Sequence, residues 1–384
     1  MEPSVLDLTD QEGTSYFTIS NINVSQANAI RRTILADIPT VVIRTFPYEQ
    51  NDVVFEVNTS RLNNEILKQR LSCIPIFIKD IDMDLSDYLL EVDVKNTTDQ
   101  LIYVTTRDFK IKSITTGKYL NDETLTSIFP PNNISNQYID FCRLRPQLSD
   151  NLEGEHVKFT AKFSIGTASE NGAFNVVSTC SYGSTPDTFK ISEEREKKIT
   201  ELRAKNIDEE DILYQISDWE NLDAKRITIA DSFNFRLKTL GVFTNSEIII
   251  KALKVIIQKL KNIITIYSNP NSLINDSNTT IANSFDITLE NEDFTIGKIL
   301  EFGLYQLYYI QDKTLSFCGF NKPHPHLPNS TIRIAFKEST DKNTAISYLI
   351  NSANINITLF EKLLPQFGET LPSEAAALQN IPTI

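Results

Sequence analysis

The feature that most constrains this chain is a pair of long helical stripes. In "NSEIIIKALKVIIQKLKNII" the residues Ile249, Leu253, Ile256, Leu260 and Ile263 recur at spacings of four and three. At about 100° per residue, those spacings put all five on one arc of a helix. A second stripe, Ile346, Leu349, Ile350, Ala353, Ile357, Phe360 and Leu364, belongs to a helix expected from about Asp341. A stripe of that length must be covered by another apolar face. Two half-domains with complementary stripes can cover each other, as subunits of a dimer do.

A third helix is expected in "NVSQANAIRRTILADIP", over 23–39, with Ser25 as its N-cap and Pro39 disfavouring helix at Ile38. Ala27, Ile30, Ile34, Leu35 and Ile38 share one arc, and Arg31 falls inside it. Arg32 lies about 100° further round, near Asn28. A buried, unpaired cation costs several kcal/mol, so Arg31 needs a partner. An internal ion pair, a side chain that snorkels off the edge of the arc, and a contact with another chain all meet that need.

Around these helices the chain divides by pattern. "TSYFTISNI" at 14–22 and "TVVIRTF" read as strands. Over 47–185 short β-like runs such as "DVVFEVN", "YLLEVDVKN" and "HVKFTAKFSIG" alternate with polar turns, which predicts a mostly-β module. The mixed charges of 186–226 predict an exposed helical insertion. The strand "SFNFRLKTLG" and the first striped helix, opened by Asn245 or Ser246, follow. "NPNSLINDSNTT", at 269–280, reads as a linker. Residues 281–370 form a compact strand, helix, strand, strand, helix unit, and 371–384 a loosely held tail. The two ends echo each other. Phe17 to Ile30 and Phe285 to Ile299 both run strand, turn, helix, and each half closes on a long striped helix. The expected fold class is α+β: two related strand-helix dimerisation units in one chain, the first interrupted by an inserted mostly-β domain.

Composition removes several function classes. The 384 residues carry 50 acids against 37 bases, a net charge of -13, which disfavours a surface that itself holds nucleic acid. Cys73, Cys142, Cys180 and Cys318 are too far apart for a zinc ribbon or an iron–sulfur motif, so no cofactor is expected. The acidic start does not read as a signal peptide, and "IIIKALKVII" is too short and too interrupted to span a bilayer. An intracellular protein is expected.

Catalytic signals are sparse. Eleven glycines form no G-x-G-x-x-G and no P-loop, and no G-x-S-x-G elbow occurs. "PHPH" at 323–326 could contribute to a metal site, but the remaining histidine is distant and a stiff turn between strands explains it. "DIDMD" at 80–84 could hold Mg²⁺, or form a solvated acidic turn. The former would predict an activity abolished by Asp82→Ala.

The motifs in order resemble one family. "VSQANAIRRTILADIPTVVI" resembles the signature of the RNA polymerase alpha-like subunits, with Ala27, Asn28, Ala29, Ile30, Arg31, Arg32, Pro39 and Thr40 in register. "QRLSCIPI", "VTTRDF" and "SIGTASENGAFNVVS" resemble later segments of that family, and "FNFRLKTLGVFTNSEIIIKALKVI" resembles the strand-turn-helix closing its dimerisation domain. "DFTIGKILEFGLYQ" with "LSFCGFNKPHPH" resembles the small partner subunit, with Phe294 and Lys298 in place of the usual His and Asn.

The resemblance implies an alpha-like dimerisation domain at 1–46 and 227–268 and a small-partner-like one at 281–370, fused as in the polymerases of large nucleocytoplasmic DNA viruses. It implies a non-catalytic assembly platform for a DNA-directed RNA polymerase, not an enzyme by itself. The implied partners are the two largest subunits and small polymerase subunits, with DNA and RNA met only through the complex. No membrane association and no homo-oligomer are expected. A viral chain would work in the host cytoplasm, at the virus factory, and in the virion. Asn28, Arg31, Arg32 and Arg70 would dock the large subunits. Ile30, Ile34, Ile249, Leu253, Ile256, Leu260, Ile299, Leu300, Leu304, Leu307, Ile350 and Ile357 would form the intramolecular dimerisation face. The alternative is a scaffold of a non-polymerase complex reusing the same fold.

Overall fold

The computed structural model describes residues 2–147, 149, 153–268 and 273–368. They fall into two compact units. One gathers the described residues of 1–33, 179–238 and 249–369; the other gathers those of 34–178 and 239–248. Helices and strands are mixed throughout, an α+β chain.

The first unit opens with β1 (Ser4–Gln11) and β2 (Thr14–Ser20), an antiparallel hairpin. Its two-residue turn places Glu12 at φ 52 and Gly13 at φ 72, the double positive φ that a right-twisted hairpin requires. Helix α1 (Val24–Ala36) follows. Its cap is Asn23 and not the expected Ser25. The Ser25 N–H donates to Asn23 Oδ1 at 2.9 Å, and the Asn23 N–H donates to Gln26 Oε1 at 2.8 Å. That reciprocal pair needs a Gln three residues after the cap, which Asn23 has and Ser25 lacks. The helix stops ahead of Pro39.

The second unit is β-rich. It contains β3 (Thr40–Val42), β4 (Val53–Asn58), α2 (Asn64–Ser72), β5 (Tyr88–Lys95), β6 (Ile102–Thr105), β7 (Lys110–Ser113), α3 (Asp122–Ile128), β8 (Asp140–Leu144), β9 (His156–Lys162) and β10 (Ser164–Gly166). Strands β4-β9-β5-β7 form an antiparallel sheet, and β6 pairs with β8. Phe109, Phe141 and Phe159 pack edge-on and tilted at its centre, with Leu67 and Leu71 of α2 in the same core. The expected range of 47–185 is displaced toward the N-terminus because β3 pairs with β10, Thr40 opposite Gly166. A Cβ on Gly166 would sit 2.8 Å from the Phe174 ring, so any larger residue there would have to displace that ring. Residues 239–248 join this unit, with Lys79 Nζ 3.0 Å from both Glu247 carboxylate oxygens.

The chain then builds β11 (Val177–Pro186), α4 (Thr188–Ala204), α5 (Glu209–Asn221), β12 (Thr228–Thr239) and α6 (Asn245–Ser268). Strand β12 completes the first sheet, β1-β2-β12-β11. Phe17 and Phe235 stack in it with centroids 5.1 Å apart. Helices α4 and α5 form a hairpin on a small core of Leu202, Ile212 and Ile216, tied outside by Arg195–Glu220 at 2.6 Å. Thr244 and Glu247 cap α6 reciprocally: Thr244 N–H to Glu247 Oε2 at 2.7 Å, Glu247 N–H to Thr244 Oγ1 at 3.2 Å.

The expected linker at 269–280 begins outside the described residues, at 269–272. The rest is not a free connection, because Ile274–Asp276 forms β13, with buried Ile274 opposite Ile287. Next come β14 (Ser284–Leu289), α7 (Phe294–Leu304), a π turn at Tyr305–Gln311, β15 (Leu315–Asn321), β16 (Ser330–Phe336) and α8 (Lys342–Leu363). They form a second sheet, β13-β14-β16-β15, with α7 packed on α8. Asp341 caps α8 through the Thr344 N–H at 3.0 Å. The tail of 371–384 lies outside the described residues. No helix among the described residues is long and apolar enough to cross a membrane.

Candidate assembly site

Apolar positions carry the core of the first unit. Ile249, Leu253, Ile256 and Leu260 of α6 are buried, as are Ile30 of α1, Ile299, Leu300 and Leu304 of α7, and Ile357 of α8; Ile34, at the end of α1 that falls in the other unit, is buried as well. Each such side chain contributes about 2 kcal/mol of burial against the entropy of ordering it. Leu307 and Ile350 are only half-buried. The face that α8 buries runs through Ala345, Leu349, Ser352, Ala353, Asn356, Phe360 and Leu363. Ile346, Ile350 and Leu364 sit beside that face, not on it. Ser352 and Asn356 take their place because α7 comes close there: a Cβ on Gly303 would lie 2.2 Å from Ser352 Oγ.

Polar groups at that crossing are satisfied. Ser352 Oγ donates to the Leu300 carbonyl at 2.9 Å. Asn356 Nδ2 donates to the Ser352 carbonyl at 2.8 Å and to the Ile299 carbonyl at 3.4 Å, while its Oδ1 accepts from Gln26 Nε2 at 2.9 Å. One buried amide thus ties α1, α7 and α8 together. The end of α8 also reaches the first sheet. Val5 N–H donates to Gln366 Oε1 at 2.8 Å, and Phe367 meets Phe17 edge-on at 5.3 Å.

The two arginines of α1 separate cleanly. Arg32 donates through Nε to Thr295 Oγ1 at 2.8 Å and through Nη2 to Asp293 Oδ2. Asp293 is the cap of α7, accepting the Thr295 N–H at 2.8 Å. Burial pushes its carboxyl up, but the Thr295 N–H and hydroxyl and the charges of Arg32 and Lys259 outweigh that and hold it below its ordinary value. The internal ion pair weighed for Arg31 therefore falls to Arg32. Arg31 is half-buried, and its Nε and Nη2 both donate to Asn28 Oδ1, at 3.1 and 2.9 Å. It forms no ion pair among the described residues. Arg70, in the second unit, is engaged in its own fold, donating to the Phe141 and Asp140 carbonyls of β8 at 2.7 and 2.8 Å.

Other candidates resolve as turns. Asp80 Oδ1 accepts the Asp82 N–H and Asp84 Oδ1 the Ser86 N–H, both Asx-type turns. His326 N–H donates to His324 Nδ1 at 3.1 Å within the exposed loop between β15 and β16. Among the described residues no group of three or more His, Cys, Asp or Glu is placed to hold a metal. Burial pushes the thiols of Cys142, Cys180 and Cys318 up to about 12, so they stay protonated at neutral pH.

Sequence reasoning missed Gln26, Asp293, Thr295, Ser352 and Asn356. Polar residues inside an apolar stripe were the available signal for Ser352 and Asn356. It also missed Phe46 and Tyr48, 75% and 82% exposed on the loop after β3, where the Phe46–Pro47 bond is cis.

Known proteins share this frame. Residues 16–260 match the RNA polymerase Rpb3/Rpb11 dimerisation domain. Subunit 3B of DNA-directed RNA polymerases IV and V from Arabidopsis thaliana is 28% identical over 207 residues, 48% of this chain and 57% of that subunit. DNA-directed RNA polymerase subunit Rpo3 of Pyrococcus furiosus is 25% identical over 268 residues, 65% of this chain and 90% of the archaeal one. DNA-directed RNA polymerase II subunit rpb3 of Dictyostelium discoideum is 35% identical over 81 residues, 21% of this chain and 24% of its own. The matched stretch holds α1 with Asn28, Arg31 and Arg32, together with β12 and the stripe of α6 as far as Leu260. With well over half its length in that match, the chain belongs to the RNA polymerase Rpb3/Rpb11 dimerisation family, the alpha-like subunits of RNA polymerase.

Proposed function

We propose that this chain is a non-catalytic assembly platform of a DNA-directed RNA polymerase, an alpha-like half and a small-partner half fused into one intramolecular heterodimer. The observation that carries this reading is the linkage inside the first unit. Gln26 and Arg32 of α1 reach Asn356 of α8 and Asp293 at the cap of α7, so the two strand-helix sets are joined as subunits would be. Fusion keeps the halves at an effective concentration around millimolar and fixes their ratio at one to one.

The platform docks the two large catalytic subunits, with Asn28 and Arg31 as its contact on α1. The Asn28 side chain orients the Arg31 fork, and no carboxylate among the described residues pairs with it. Such a fork suits a carboxylate or a pair of carbonyls on a partner. Small polymerase subunits complete the assembly, and DNA and RNA are met through the complex. The fused arrangement favours a viral polymerase, working in the host cytoplasm and carried in the virion.

Co-expression with the two large subunits of the same source tests this. The chain should co-purify with them in a complex that incorporates nucleotides. Purification of the folded chain without either large subunit would overturn the reading and favour a scaffold of a different complex.

A further inference from the structure

We propose that the β-rich unit carries a docking cleft for an acidic, apolar-anchored segment of a partner polypeptide. The cleft, about 580 Å³, lies beside α2 and β8 and is lined by Arg61, Arg70, Arg143 and Arg145. That volume is in the range of built ligand sites. Four arginines around one opening stand out in a chain of net charge -13. Among the described residues only Arg145 of the four has an ion-pair partner, Glu155 at 2.5 Å. Arg70 is held by the two β8 carbonyls and meets no carboxylate. Arg143 lies over the Tyr103 ring, 4.8 Å from its centroid, and neither it nor Arg61 forms an ion pair among the described residues. Among the described residues Asp140 is the one other acid on the rim, so cations exceed acids there.

The apolar surface between the cations comes from Leu62 and the exposed Leu101. Arginine forks grip carboxylates bidentately, while apolar walls take a side chain between them. A nucleic acid is the poorer occupant. The face of Tyr103 is already covered by Arg143, leaving it unable to stack a base. The cleft belongs to the β-rich unit alone, and its occupancy does not depend on which assembly the chain joins.

Fluorescence anisotropy on the full chain tests this, with a short fluorescein-labelled peptide of alternating Glu and Leu. Binding should weaken with added salt, and about tenfold or more when Gln replaces Glu in the peptide or when Arg61→Gln and Arg143→Gln are combined in the chain. The melting temperature of that variant should fall only slightly, since neither arginine has an ion pair among the described residues and Arg143 loses only its exposed contact with the Tyr103 ring. Should the double variant melt early, Arg61→Glu alone repeats the measurement at an exposed, unpaired side chain. Peptide affinity unaltered by these variants would overturn the proposal. So would a labelled single-stranded DNA oligonucleotide that binds more tightly than the peptide and is lost in the same variants. Displacement of the peptide by inorganic phosphate at equal concentration would also overturn it, in favour of a free-anion site.

Discussion

Gln26 Nε2 donates to Asn356 Oδ1 at 2.9 Å across more than three hundred residues of sequence, and the two side chains are only 4% and 1% exposed. Every polar group of the Asn356 amide is engaged, so losing one partner strands a buried acceptor. Gln26→Ala should destabilise the chain by about 1–3 kcal/mol. Gln26 also closes the cap of α1, so the single variant mixes two losses. A double-mutant cycle with Asn356→Ala in urea unfolding separates them. We expect a coupling energy of about 0.5 kcal/mol or more. Strict additivity would mean that the two amides do not share a bond in solution.

Gly303 permits the α7–α8 crossing. A Cβ there would stand 2.2 Å from Ser352 Oγ, which is itself bonded to the Leu300 carbonyl. Alanine in a helix interior normally gains about 1 kcal/mol over glycine. Here the overlap should reverse the sign, with Gly303→Ala destabilising by about 1–3 kcal/mol. Ser352→Gly in the same chain should recover part of that loss. Thermal melts of the single and double variants read both effects, and a stabilising Gly303→Ala would show that the helices are not in contact at this point.

How much of this was legible follows the physics of each element. The α6 stripe was readable at Ile249, Leu253, Ile256, Leu260 and Ile263 because those buried positions are large and aliphatic, whereas the buried Ala252 and Tyr267 beside them gave no periodic signal. The α8 stripe was read in phase at Leu349, Ala353, Ile357 and Phe360, but it took in the half-buried Ile346, Ile350 and Leu364 and left out Ser352 and Asn356, since a close helix crossing selects small polar groups over bulk and periodicity counts only apolar residues. Strand β13 hid in an Asn- and Ser-rich stretch because backbone pairing of three residues holds it to β14 and only one of them, Ile274, is buried. The cationic anomaly on α1 was visible, but its resolution was not. Whether Arg31 or Arg32 meets an acid depends on where Asp293 arrives from a distant part of the chain.

The neighbouring arginines should behave oppositely. Arg32→Ala removes an ion pair and a hydroxyl bond that join α1 to the start of α7, at groups about one-third exposed. It should cost about 1 kcal/mol of stability. Arg31→Ala removes only the contacts to Asn28 and should leave the melting temperature nearly unchanged, while weakening capture of the large subunit. Melting curves and co-purification of both variants, measured side by side, decide the matter. Equal loss of stability and capture in Arg31→Ala would make it a folding residue.

Acidification should loosen the same junction through Asp293. Its carboxyl is held below the ordinary value in the folded chain, with the Thr295 N–H and hydroxyl and nearby cations overcoming the effect of burial. A group with a depressed folded pKa binds more protons unfolded than folded near that pKa. Its contribution is therefore full above the unfolded carboxylate value of about 3.9, and is lost as pH falls through the lower folded value. Asp286, paired with Arg333, is lowered for a similar reason, so total acid sensitivity will exceed what one residue explains. The difference between wild type and Asp293→Asn isolates the junction. The variant should be less stable at neutral pH, and the gap should close as pH drops below about 4. A gap that stays constant down to the acid transition would mean that the Asp293 carboxylate is not favoured by the fold, and that Arg32 holds α7 through Thr295 alone.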